Sequence, residues 1–161
     1  MSRAWVVNAS PLISLGTIGH IELLPSLCDE MIIPEGVARE VDAGPPSDAA
    51  RLWLHERGEP FVREVGAVLP IVASWDLGLG EGQVLSLCHG DPSREAILDD
   101  GSARRRAVAL GVPVRGTLSV IVLAKRRGLV PAARPLFEQL LANGLRADER
   151  VVERAIELAG E

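Results

Sequence analysis

Short apolar runs without polar alternation recur along the chain: Ala4-Trp5-Val6-Val7, Met31-Ile32-Ile33, Ala96-Ile97-Leu98 and Val112-Pro113-Val114. Runs of this kind mark strands buried on both faces, as in parallel sheets. Each is followed by helical spacing. After the first, Asn8-Ala9-Ser10-Pro11 offers a capping hydroxyl and then proline at the first helical position, which predicts a helix from Pro11 to Gly16 or Gly19 with Leu12, Ile13 and Leu15 inward. Ile21-Glu22-Leu23-Leu24 predicts a short helical turn before Pro25. Pro34 opens a helix through Val37, Glu40 and Val41 to the breakers Gly44-Pro45-Pro46. Ser47 caps a helix from Asp48 to Glu56, with Leu52 and Trp53 inward and Gly58 as its stop.

Phe61 to Val65 alternates like a strand, while the apolar run Val68 to Val72 is broken by Pro70. Further helices are predicted over Glu81 to Cys88, Ser102 to Leu110, Leu118 to Arg127 with Gly116-Thr117 as its cap, Ala132 to Ala142, and Asp148 to Leu158. Strands alternating with helices predict an α/β fold, a three-layer α/β/α sandwich around a short parallel sheet. No linker or repeat divides the chain, so residues 1–161 are read as one domain ending in a helical hairpin.

Composition changes this picture in two ways. Three Trp and two Phe are the only aromatic residues, so the core is built from aliphatics and a base-stacking platform is disfavoured. A net charge of −5 argues against indiscriminate, charge-driven binding of nucleic acid, although Arg104-Arg105-Arg106 and Lys125-Arg126-Arg127 form local basic patches. Cys28 and Cys88 have no metal-ligand or disulfide spacing, which fits a reducing cytoplasm. The opening Met1-Ser2-Arg3-Ala4-Trp5-Val6-Val7 is too short an apolar run for a signal peptide, and Leu118 to Ala124 is too short to span a bilayer.

The candidate chemistry centres on Ile97-Leu98-Asp99-Asp100-Gly101-Ser102, where a buried run ends in two carboxylates. Ligand sites of open parallel sheets lie beyond the carboxyl ends of the strands, where Asn8 and Asp99 are both expected. Glu40 and Glu81 lie on helices at that same end. Together they offer hard oxygen donors suited to Mg²⁺ or Mn²⁺.

These stretches, Val7-Asn8-Ala9-Ser10-Pro11-Leu12-Ile13, Ile33-Pro34 to Glu40, Leu79-Gly80-Glu81-Gly82-Gln83, and Asp99-Asp100 through Arg104 to Gly116-Thr117, resemble the PIN-like superfamily over nearly the whole chain. More narrowly, they resemble a prokaryotic branch related to VapC-type toxins. The resemblance implies a PIN fold, a metal-dependent endoribonuclease acting on RNA, a small antitoxin partner and a homodimer. Carried over position by position, it places the catalytic and metal-binding set on Asn8, Glu40, Glu81 and Asp99, with Asp100 as a further ligand. Ser10, Arg104 and Thr117 become candidate substrate contacts.

Asn8 departs from the family pattern, which has an acid there: an amide oxygen still ligates a hard cation but carries no charge and takes up no proton. Asp100 is a candidate to restore that charge. Plainer readings stand beside these. Asn8 and Ser10 also describe a turn and helix cap, Glu40 a solvated surface residue, Glu81 a complement to a helix N-terminus, one of the aspartates an N-cap, and Arg104 a surface ion pair. The alternative at the level of function is a catalytically silent PIN-like module that binds RNA or a protein partner.

Overall fold

The computed structural model describes residues 3–161; Met1 and Ser2, which open the stretch read above against a signal peptide, lie outside the described residues. Strands β1 (Ala4–Val7), β2 (Glu30–Pro34), β3 (Val62–Arg63), β4 (Arg94–Ile97) and β5 (Val114–Arg115) form one sheet in the order β3-β2-β1-β4-β5, all pairs parallel. The central strand β1 is buried throughout, as its unalternating sequence requires. Around the sheet lie α1 (Ala9–Thr17), α2 (Leu23–Leu27), α3 (Glu35–Asp42), α4 (Ala49–Trp53), α5 (Pro70–Ala73), α6 (Leu79–Cys88), α7 (Gly101–Ala109), α8 (Thr117–Arg126), α9 (Arg134–Ala142) and α10 (Glu149–Leu158). Helix α6 crosses β1, β2 and β4 with α3 beside it, α2 packs on β2 and α8, and both α9 and α10 lean on α8. The result is the expected α/β/α sandwich. No helix among the described residues is long and apolar enough to cross a membrane.

Several local expectations are corrected. Helix α1 begins at Ala9 with Asn8 as its N-cap residue, so Ser10 lies exposed in the first turn and caps nothing. Pro11 is then the third helical residue, and Pro25 holds the same place in α2, because N–H groups of a first turn have no intrahelical partner to lose. Asp48, not Ser47, caps α4, its carboxylate accepting from Arg51 N–H at 3.1 Å. Leu52 is 49% exposed and Ile13 37% exposed, since neighbouring residues on a helix point about 100° apart and Trp53 and Leu12 take the inward places.

Past Trp53 the helix widens into a π turn, Leu54–Gly58, and then a 3₁₀ turn, Glu59–Phe61, which shortens the expected strand to Val62–Arg63. This path lets Trp53 stack on Phe61 with ring centroids 5.9 Å apart. The stretch broken by Pro70 is the short helix α5, with proline at its first turn and Val72 buried. The last strand starts at Val114 because the Val112 N–H is spent on Ala107 O (2.8 Å), closing the end of α7 over Gly111 at φ +70°.

One crossing positions the site. Helices α3 and α6 meet at Gly36 and Gly80, where a Cβ on Gly36 would stand 2.6 Å from Gln83 Oε1 and one on Gly80 3.1 Å from Val37 Cγ2. The buried Gln83 Oε1 accepts from Gly36 N–H at 2.7 Å. Gly36→Ala is therefore expected to lose about 1–3 kcal/mol of unfolding free energy in urea titration, by overpacking and by displacing this bond.

Candidate functional site

The parallel register carries the sequence-predicted residues to one end of the sheet. Val7 pairs with Ile97 and Ile97 with Arg115, so the chain leaves three adjacent strands side by side as Asn8, Leu98-Asp99-Asp100 and Gly116-Thr117. Asn8 N–H donates to Ile97 O at 3.1 Å, fixing the turn out of β1. The Asn8 side chain is buried, and its Oδ1 is shut from solvent with no hydrogen-bond partner among the described residues. A buried acceptor left unpaired costs about 1–3 kcal/mol.

Glu81 lies in the first turn of α6, half-buried. Burial pushes its carboxyl above the usual range, and the neighbouring charges of Asp100 and then Glu40 push it the same way. A hydrogen bond from Asn8 opposes the shift without cancelling it. Glu40 is exposed on α3, and its Oε2 lies 3.3 Å from where a Cβ on Gly80 would stand, so that glycine makes room for it. Asp100 is the N-cap of α7, with Oδ2 accepting from Ala103 N–H at 2.9 Å.

Asp99 faces a different partner. Its Oδ1 accepts from Thr117 N–H at 2.8 Å and its Oδ2 from Thr117 Oγ1–H at 2.6 Å. Thr117 is fully buried at the start of α8. Arg104 folds back over Gly116, where any Cβ would collide with its Nη1, and reaches Leu98 O at 3.4 Å. Asn8, Glu40, Glu81 and Asp100 thus form one group, with Asp99, Thr117 and Arg104 adjoining it through the Asp99-Asp100 peptide. Ser10 stands outside both, exposed and without a hydrogen bond to either among the described residues.

As the side chains stand, no three His, Cys, Asp or Glu residues among those described close on one point. The chemistry of the group nevertheless fits a hard divalent cation. A buried amide oxygen lacks a partner, and a half-buried carboxylate is opposed by two others. Rotating the Asn8 amide by half a turn exchanges the NH₂ facing Glu81 for that oxygen.

The roles of Gln83, Gly36 and Gly80 have little local signature: a glutamine among Gly80, Gly82 and Val84 on a buried helix is the one available signal. The raised carboxyl has a consequence for stability. Between the ordinary glutamate value and the raised one, the folded chain binds more protons than the unfolded, so this group makes the fold less stable as pH rises through that window. Glu81→Gln is accordingly expected to unfold at higher urea than the parent at neutral pH, the difference shrinking as pH falls toward 4.5.

No curated protein matches the chain. Residues 4–161 match the family DUF3368, described as a PIN domain, and the chain belongs to that PIN-domain family.

Proposed function

We propose that this protein is a Mg²⁺- or Mn²⁺-dependent endoribonuclease, acting as one domain over residues 1–161 and serving as the toxin of a VapC-type toxin–antitoxin pair. Its substrate is RNA, its partners are a small antitoxin and a second copy of itself, and its place is the cytoplasm. The observation that carries this reading is the group of Asn8, Glu40, Glu81 and Asp100 at the carboxyl end of a parallel sheet, with the Glu81 carboxyl raised by burial and then by the charges of Asp100 and Glu40. The PIN fold supports a nuclease over other uses of such a group.

In this reading Asn8, Glu40, Glu81, Asp99 and Asp100 hold the ion, which when bound activates water and stabilises charge on a scissile phosphate. Thr117 fixes the Asp99 carboxylate through two hydrogen bonds and leaves lone pairs on both oxygens. Without an ion Glu81 holds a proton more readily than an ordinary glutamate, and taking the cation would release that proton. Arg104, over Gly116 and beside Asp99, presents a cation to a phosphate oxygen.

A mixed RNA pool is expected to be cut by the parent with Mn²⁺ and left whole with EDTA, and both Asp99→Ala and Glu81→Gln should lower the rate by about 10²-fold or more. Cleavage unaltered in both variants rejects the assignment. The missing charge at Asn8 favours a second reading, a silent module that binds RNA or protein. Under that reading the parent cuts nothing and Asn8→Asp gains Mn²⁺-dependent cleavage.

A further inference from the structure

Helices α8 and α10 leave between them a groove of about 660 Å³ that runs out of the candidate site, sharing Asp99, Arg104 and Gly116 with it. The rest of its lining is mostly aliphatic, with Leu118, Val122, Val151 and Leu158 among it, and carries Arg146, Arg150 and Arg154 on the α10 side. Arg150 and Arg154 are one turn apart on α10, a rise of ~6 Å, so they follow one another along the groove with Arg146 just ahead of the helix. In a chain of net charge −5, four guanidinium groups in one groove are a local reversal of sign.

Few carboxylates compete for these cations. Among the described residues only Arg154 of the four has a carboxylate within ion-pair distance, Glu157 at 3.1 Å, and both side chains are about two-thirds exposed, where such a pair contributes little. Two aspartates share the lining without pairing with these arginines: Asp99 accepts from Thr117, and Asp148 caps α10, accepting from Arg150 N–H at 2.8 Å, so four cations outnumber two anions.

We propose that this groove is the track for the phosphates of a single-stranded RNA flanking the bond to be cut. The inference rests on the nuclease reading above and adds the residues that hold the strand. Three features argue for this occupant. The groove reaches the site at Asp99, so a strand lying there places a phosphate beside that carboxylate. Arg146, Arg150 and Arg154 follow one another into and along α10, a succession of cations suited to a linear polyanion. No aromatic residue lines it, so phosphates and not bases carry the contact, which makes binding salt-dependent and weakly selective for sequence.

The test is fluorescence anisotropy of a short labelled oligouridylate with the full chain in EDTA, across a range of salt. The parent is expected to bind, with affinity falling as salt rises. Arg150→Ala/Arg154→Ala is expected to bind about tenfold or more weakly at low salt, with a log–log salt slope smaller by about 1.4, two single-strand phosphate contacts. The control Arg57→Ala/Arg63→Ala, far along the chain from the groove, should match the parent. Equal affinity and slope in the α10 variant overturn the proposal. So does a parent that does not bind RNA at low salt, in which case an acidic amphipathic peptide is the better occupant for the groove. Intact Mn²⁺-dependent cleavage with unaltered binding by the α10 variant rejects the track and spares the nuclease reading. Arginine-dependent binding by a parent that cleaves nothing does the reverse.

Discussion

Gln83 and Gly36 join the two helices that carry Glu81 and Glu40. Gly36 is the second residue of α3, so its N–H has no partner within its own helix, and no side chain from the residue before α3 supplies one. Gln83 supplies it from α6, across a crossing so close that a Cβ on Gly36 would overlap Gln83 and one on Gly80 would crowd Val37. Glu81 precedes Gln83 by half a turn, and Glu40 follows Gly36 by little more than one. The separation of these carboxylates is therefore set by a buried amide hydrogen bond, and their mutual repulsion cannot be relieved by letting the helices drift apart.

A second constraint acts from the other side of the site. The parallel register carries Asp99 and Thr117 two residues past a paired position on neighbouring strands, and Thr117 then fixes both oxygens of Asp99. This turns Asp99 toward α8 and leaves Asp100 as the larger charge acting on Glu81. The first turn of α6 and the N-cap of α7 both lie here, and each helix end offsets a carboxylate by about 0.3–1 kcal/mol. That is too little to decide the balance, since the Glu81 carboxyl stays raised. The fold holds an electrostatic cost in place, which a proton on Glu81 or a cation beside it would remove.

Much of this architecture was legible in the sequence where one signal acted alone. The apolar runs of β1, β2 and β4 were read as strands because a strand buried on both faces leaves no other pattern, and the Asp99-Asp100 pair stood out because carboxylates seldom follow such a run. The start of α1 was misread because Pro11 fits the third helical position as well as the first. The turn after Trp53 was not legible, since the π geometry follows from stacking Trp53 on Phe61, a tertiary event with no local code. The engagement of Asp99 by Thr117 depends on register across two strands, and the arginine groove on how α10 meets α8. Neither is written in the spacing along the chain.

Asn8 shows how these constraints bear on the missing charge. The residue is buried against β4, and its amide acts on Glu81 in the direction that favours the ionised carboxylate. A carboxylate there would be desolvated, would lose the amide's donor and would stand as a further like charge on an already raised glutamate, so the fold without an ion would bear a larger penalty. The amide keeps an oxygen donor at the same point and removes that penalty. The consequence is an ion-free state less strained than one with four acids, and a weaker pull on any cation, because the repulsion a cation relieves is the source of much of its affinity. Asp100, exposed and capped to α7, carries negative charge to the same glutamate from a position where water still screens it.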